Sequence, residues 1–279
     1  MKRFFLVTLL SSGLALAVNA QDFHMPKPSP TVSVNQGFST SFIKLDYSRP
    51  SVKGRVIFGH LVPYGQVWRT GANNATKVTF GEDVSLDGHS VKAGEYALYT
   101  IPEKDAWTII LNTGVSNWGT QGFDKKDDVL QFTVPVQHLD KMRQTFSINI
   151  EDMTDNSCNI VLSWADAQVS IPVTADNNER IMAYLDEALK GDKPPYYQAA
   201  SYYFASDQKM EEAAKYCALA IKESPKAYYM NWLQARIYEK LGKHQQAIDE
   251  AKQAAEKAKG SAFAAEYEQH YQDMLNAGK

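Results

Sequence analysis

Arg49, Lys53, Arg55 and Arg69 place four cations within twenty-one positions of a chain that is otherwise acidic, and Tyr64, Trp68, Asn73 and Asn74 stand among them. An aromatic face holds an apolar ring while guanidinium and amide groups fix a hydroxyl or carboxylate. The set therefore suits a glycan or a small anionic molecule, with Arg49, Lys53, Tyr64, Trp68, Arg69 and Asn73 as its contacts. The structural alternative is that Trp68 fills the core while Arg69 ties down loop carbonyls or pairs with Asp46, since an arginine fork serves both purposes. A second functional class is an exported hydrolase, with Asp46, His60 or Asp83 as acid, base or nucleophile. General acid–base work needs two titratable groups converging on one bond. A carboxylate with a raised pKa beside His60 or Arg69 marks the enzyme, and a shallow aromatic shelf without such a pair marks the binder.

Other chemistry finds no signature. There is no His-Glu-x-x-His, paired Cys-x-x-Cys, phosphate-cradling glycine loop or Gly-x-Ser-x-Gly elbow. The six histidines, His24, His60, His89, His138, His244 and His270, are isolated in sequence. Asp124, Asp127 and Asp128 offer oxygen ligands, but Lys125 and Lys126 interleave with them as in a solvated loop. Neither a metal nor another cofactor is expected, and the catalytic residues of the hydrolase reading stay unassigned.

Gly54, Gly59, Gly65 and Gly71, with Pro50 and Pro63, make the cationic stretch a long, turn-rich excursion that needs a rigid scaffold beneath it. Valine supplies that scaffold: residues 21 to 175 hold all sixteen valines found beyond residue 20, while 175 to 279 hold no Val, no Thr and twenty-one Ala. Ile43, Leu45 and Tyr47 alternate with Lys44, Asp46 and Ser48, and Asp87-Gly88 supplies a tight hairpin between Val84-Ser85-Leu86 and His89-Ser90-Val91. Alternation recurs over Glu95 to Ile101, Trp107 to Leu111, Leu130 to Val136, Phe146 to Ile150, Ile160 to Trp164 and Val169 to Val173. Nine or ten short strands without intervening helices predict a mostly antiparallel, two-sheet β-sandwich or jelly-roll-like domain over 31–174.

An all-α domain follows over 177–279, after the turn formers Asp176-Asn177-Asn178. Ala213 and Ala220 recur as Ala247 and Ala254, an offset of 34 residues, and Tyr197, Ser201 and Phe204 line up with Asn231, Ala235 and Tyr238. This is the tetratricopeptide period, and it predicts two degenerate units flanked by further helices. Such a tail either docks a protein partner or is a helical appendix.

The run from Asp46 to Thr76, with its Val-Trp-Arg-Thr-Gly-Ala-Asn core at 67–73, is joined by Ala93 to Pro102 and by Asn117-Trp118-Gly119. Together these resemble the exported bacterial family called domain of unknown function 2911, over roughly residues 32–174. The resemblance implies a β-sandwich domain, often preceded by a signal peptide and sometimes followed by tetratricopeptide-like helices, and implies no established activity. It adds Trp118 to the candidate ligand contacts. Phe123 stands where the family pattern has a Tyr, and the missing hydroxyl argues against chemistry there.

Residues 1–20 read as a secretory signal peptide: Lys2 and Arg3, an apolar stretch from Phe4 to Val18, then Val18-Asn19-Ala20 as cleavage site. The apolar stretch, broken by Ser11-Ser12-Gly13, falls short of the ~20 residues that cross a bilayer. A periplasmic or secreted protein without a membrane span is expected. Of 29 Lys and Arg and 32 Asp and Glu, loss of Lys2 and Arg3 leaves 27 against 32, a net −5, which gives no attraction to nucleic acid. At 279 residues the chain is long enough for two cores. Its two cysteines, Cys158 and Cys217, lie in different segments, as separate buried thiols or as an interdomain bridge.

Overall fold

The computed structural model describes residues 25–277 and divides the chain into two compact units, one running to Asp176 and the other from Asn177. The leader read at 1–20 lies outside the described residues. In the first unit the strands are β1 (Thr31–Phe38), β2 (Ser41–Ser48), β3 (Thr76–Phe80), β4 (Val84–Leu86), β5 (His89–Val91), β6 (Gly94–Pro102), β7 (Ala106–Asn112), β8 (Asp128–Glu151) and β9 (Ser157–Thr174). All neighbours run antiparallel in one nine-stranded sheet, ordered β1-β2-β3-β6-β7-β8-β9-β4-β5.

The period-two pattern holds where it was strongest. Ile43, Leu45 and Tyr47 are buried on one face of β2, and Asp87-Gly88 turns β4 into β5 with both residues at positive φ. The strands at the far end are longer than the sequence suggests. Leu130–Val136 and Phe146–Ile150 are parts of the single 24-residue β8, and Ile160–Trp164 and Val169–Val173 are parts of the 18-residue β9. No Gly or Pro separates those parts. Instead the register slips between His138 and Arg143 and again before Ser147, while Ala165, opposite Arg143, adopts φ +50°, so the strands bend where short ones would end.

That bend folds one sheet into two layers. The start of β8 pairs with β7, Ala106 facing Pro135, and its end pairs with β9, Ile148 facing Leu162. The segment after β2 closes the wrap: Val52 donates to Gln144 O, Phe146 donates to Pro50 O, and the Tyr47 hydroxyl exchanges hydrogen bonds with the backbone of Ile148. A single apolar core results, holding Ile43, Trp107, Phe146, Leu162 and Val91 from five different strands. The opposite face of β6 and β7 carries a smaller core of Tyr99 and Ile110, covered by Val67 and Phe123.

The second unit consists of α1 (Asn178–Ala188), α2 (Tyr196–Ala205), α3 (Met210–Glu223), α4 (Tyr228–Lys240), α5 (His244–Ala258) and α6 (Ala264–Ala277). From α2 onward each helix packs on the next. Ala213 and Ala220 of α3 and Ala247 and Ala254 of α5 are all buried, so the 34-residue offset falls on equivalent packing positions of consecutive helical hairpins. Cys158 in β9 and Cys217 in α3 are both free, buried thiols. No helix among the described residues is long and apolar enough to cross a membrane.

Candidate functional site

The cationic stretch is held to the sheet at its C-terminal end. Gly65 donates to Pro102 O, and Trp68 exchanges both backbone hydrogen bonds with Thr100 of β6. Residues 65–68 thus run on from β3 along the same neighbour, and residues 69–75 are an excursion between the two pieces. Its base is pinned by Thr76 N–H to Arg69 O at 3.1 Å and by Thr76 Oγ1 to Thr70 O at 2.5 Å. Thr70 and Asn73 take left-handed conformations (φ +54° and +62°). Gly71 is required by closeness, since a Cβ there would lie 3.0 Å from Ser48 O.

Two adjoining hollows open around this excursion. The first, of about 320 Å³, is lined among others by Arg55, Gln66, Trp68, Arg69, Thr120 and Trp164, and among the described residues its charged side chains are the two arginines. Arg55 spends its Nε on Val52 O and an Nη on Ser51 O. Arg69 differs: its Nε is buried and has no hydrogen-bond partner among the described residues. The indole N–H of Trp164, also in the lining, likewise has no acceptor. Buried donors of this kind each forgo about 1–3 kcal/mol until an acceptor arrives.

The second hollow, of about 430 Å³, is lined among others by Asp46, Ser48, Asn73, Asn74, Lys77 and Trp118. Trp118 is 60% exposed, while Asn73 Nδ2 is anchored on Ser48 Oγ and Ser29 O. Burial pushes the Asp46 carboxyl up, but hydrogen bonds from Lys44 and Ser33 and the charges of Lys44 and Lys77 outweigh it, and the net displacement is downward. It is a carboxylate held ionised, 2.8 Å from Lys44 Nζ.

Residues 29–173, just over half of the chain, match the family described as protein of unknown function (DUF2911). The chain belongs to this family. No curated protein and no solved structure matches it.

In this DUF2911 member the candidate contacts are distributed unevenly. Trp68 and Arg69 line the first hollow and Asn73 and Trp118 the second, whereas Arg49, Lys53 and Tyr64 line neither. Arg49 is a strut, its Nε donating to Phe146 O at 2.8 Å. Lys53 sits in an exposed turn at φ +48°, and Tyr64 packs over Gly59. Trp68 is in the core as well as in the lining, stacked on Trp164 at 5.7 Å. Of the acid–base candidates only Asp46 lines either hollow; Asp83 pairs with Lys92 at the β4–β5 hairpin, and His60 is exposed in a turn. Asp124 caps a short 3-10 turn through Lys126 N–H, Asp128 accepts from Asn112, and no metal-holding group of three occurs among the described residues. Phe123 packs edge-on against Tyr99 at 4.9 Å, a contact that needs no hydroxyl.

Gly119 and Thr120 are site residues that the candidate set lacked. Gly119, at φ +65°, leaves the space that the Arg69 guanidinium occupies, because a Cβ there would stand 2.7 Å from Nη1. Gly119→Ala is expected to destabilise the DUF2911 unit by about 1 kcal/mol through its left-handed backbone. It should also displace Arg69, and a crystal structure of the variant with an unmoved guanidinium would refute this.

Proposed function

We propose that this is an exported envelope protein, periplasmic or secreted, whose β unit is a noncatalytic module that binds a small anionic ligand in the Arg69 hollow. The helical unit serves as a tetratricopeptide-like docking tail for a protein partner. The observation that carries the ligand reading is Arg69: a guanidinium whose Nε is buried without an acceptor among the described residues, in a hollow whose other described charge, Arg55, is also positive. A carboxylate is the group whose paired oxygens match that planar fork. The binding class is favoured over the hydrolase because Asp46, the acid–base candidate that lines the adjoining hollow, is held low, where a general acid needs to be held high. Export rests on the leader-like residues 1–20, and partner docking on the 34-residue period.

Calorimetric titration with glucuronate, glycerol phosphate and sulfate tests the reading. Wild type should bind the carboxylate, and Arg69→Gln should weaken it tenfold or more at an unchanged thermal midpoint, as for the loss of a charged hydrogen bond of about 1.5–3 kcal/mol. Equal affinity in the variant, or no binding of any of the three anions by wild type, would remove the proposal.

A further inference from the structure

The hollow around Trp118 is not accounted for by an anion on Arg69, and its chemistry is different. Its largest aromatic surface, Trp118, is 60% exposed, in contrast to Trp68, Trp107 and Trp164, which are buried. Around that indole stand groups that recognise hydroxyls: the Asp46 carboxylate, the amides of Asn73 and Asn74, and the Lys77 ammonium. Anchoring of Asn73 Nδ2 on Ser48 and Ser29 fixes the orientation of this amide. An apolar plate ringed by oriented acceptors and donors fits the face of a pyranose, whose C–H groups lie on the ring and whose hydroxyls reach the rim.

The two hollows share their walls. Ser29 lines both. Within 69–74, Arg69, Gly71 and Ala72 line the first and Asn73 and Asn74 the second; within 118–120, Trp118 lines the second and Thr120 the first. Asn74 and Trp118 are joined by a backbone bridge, and Ala75 N–H donates to Asn117 O, which ties the two loops together at the boundary. Volumes of about 320 and 430 Å³ lie in the lower part of the range for small-molecule sites, room for one or two rings apiece. Charge then sets what goes where. Among its described lining residues the first hollow carries two arginines and no acid; the second sets Asp46 beside Lys27 and Lys77. Lys77 is paired with Glu95 at 3.1 Å and Asp46 with Lys44 at 2.8 Å, so the buried donor left open to a carboxylate is Arg69 Nε, while Asp46 accepts from a hydroxyl.

We propose that the two hollows form one cleft for an acidic oligosaccharide, with a uronate on Arg69 and a neutral neighbouring sugar stacked on Trp118. This rests on the anion reading of the Arg69 hollow and adds the ligand class and its direction across the site.

The test is titration of the full chain with glucuronate, with N-acetylglucosamine and with the disaccharide that joins them. The disaccharide should bind at least tenfold tighter than glucuronate. Trp118→Ala should bring the disaccharide down to the glucuronate level without changing glucuronate itself, Trp118→Phe should keep part of the gain, and Arg69→Gln should weaken both tenfold or more. Trp118 is largely exposed, so these variants leave the core untouched. If glucuronate binds and depends on Arg69 while the disaccharide gains nothing, or its gain survives in Trp118→Ala, the shared cleft is overturned and the anion site stands. If glucuronate does not bind, the uronate cleft is overturned, and the anion reading falls with it only where glycerol phosphate and sulfate also fail to bind; glucuronate that binds equally to Arg69→Gln removes both readings.

Discussion

Trp68→Ala is expected to lower the stability of the β unit by about 3–5 kcal/mol, the usual result of truncating a fully packed tryptophan. Trp68 stacks on Trp164 and meets Phe58, Trp107 and Phe146 edge-on, with centroids 5.3 to 6.1 Å apart. Its Nε1 donates to Gly71 O at 3.1 Å, so the ring also ties the 69–75 excursion to the core. Truncation opens a void beneath that excursion and removes the tie, whereas the two backbone hydrogen bonds to Thr100 survive. Urea unfolding followed by tryptophan fluorescence reads this unit, because four of the five tryptophans, 68, 107, 118 and 164, lie in it. A loss below about 1 kcal/mol would mean that the indole is a surface plate and would reverse the assignment of Trp68 as core. Trp118→Ala is the control, since an exposed ring should change stability by no more than about 0.5 kcal/mol.

The contrast between Trp68 and Trp118 shows where residue types stop being informative. Both are tryptophans beside glycines in turn-rich segments, yet one closes the core and the other faces solvent. Arg49 and Arg69 differ in the same way. What occupies Arg49 is the carbonyl of Phe146, a residue 97 positions away on the strand that closes the wrap, and no local pattern contains it. The side-chain period made Ile43, Leu45 and Tyr47 legible as a strand face, and the alanines 34 apart made the helical hairpins legible, because both patterns are local. The continuity of β8 was not legible, since its bend depends on register against β9. The wall that the two hollows share is assembled from three distant pieces: Ser29 ahead of β1, the 69–74 excursion, and the 118–120 loop. Beside the family resemblance, which joins Trp118 to the run from Asp46, glycine marks their meeting at Gly71 and Gly119, where backbone and side chain come too close for a Cβ.

Alkaline pH is expected to destabilise both units through their cysteines, by about 2 kcal/mol each near pH ~10.5. Burial pushes the Cys158 thiol up to about 11, and burial with a smaller contribution from Glu250 pushes Cys217 up to about 12, from an ordinary 9.0. A thiol is neutral when protonated, so a raised folded value means that the native state holds its proton longer than the unfolded chain does. The corresponding stability is fully present below pH 9 and is lost as pH rises from 9 towards 11 for Cys158 and towards 12 for Cys217. At about 1.5 units above the unfolded value the loss is 1.5 times ~1.36, or about 2 kcal/mol. The two units report separately, the β unit through tryptophan fluorescence and the helical unit through its circular dichroism. Tyrosines and lysines also titrate in this range, which makes the comparison with Cys158→Ala and Cys217→Ala the decisive one. Each variant should lose about 2 kcal/mol less than wild type between about pH 8 and 10.5, and only in the unit that carries the change. Parallel pH profiles for variant and wild type would show that the thiols ionise in the folded chain as readily as in the unfolded one, and would contradict their burial.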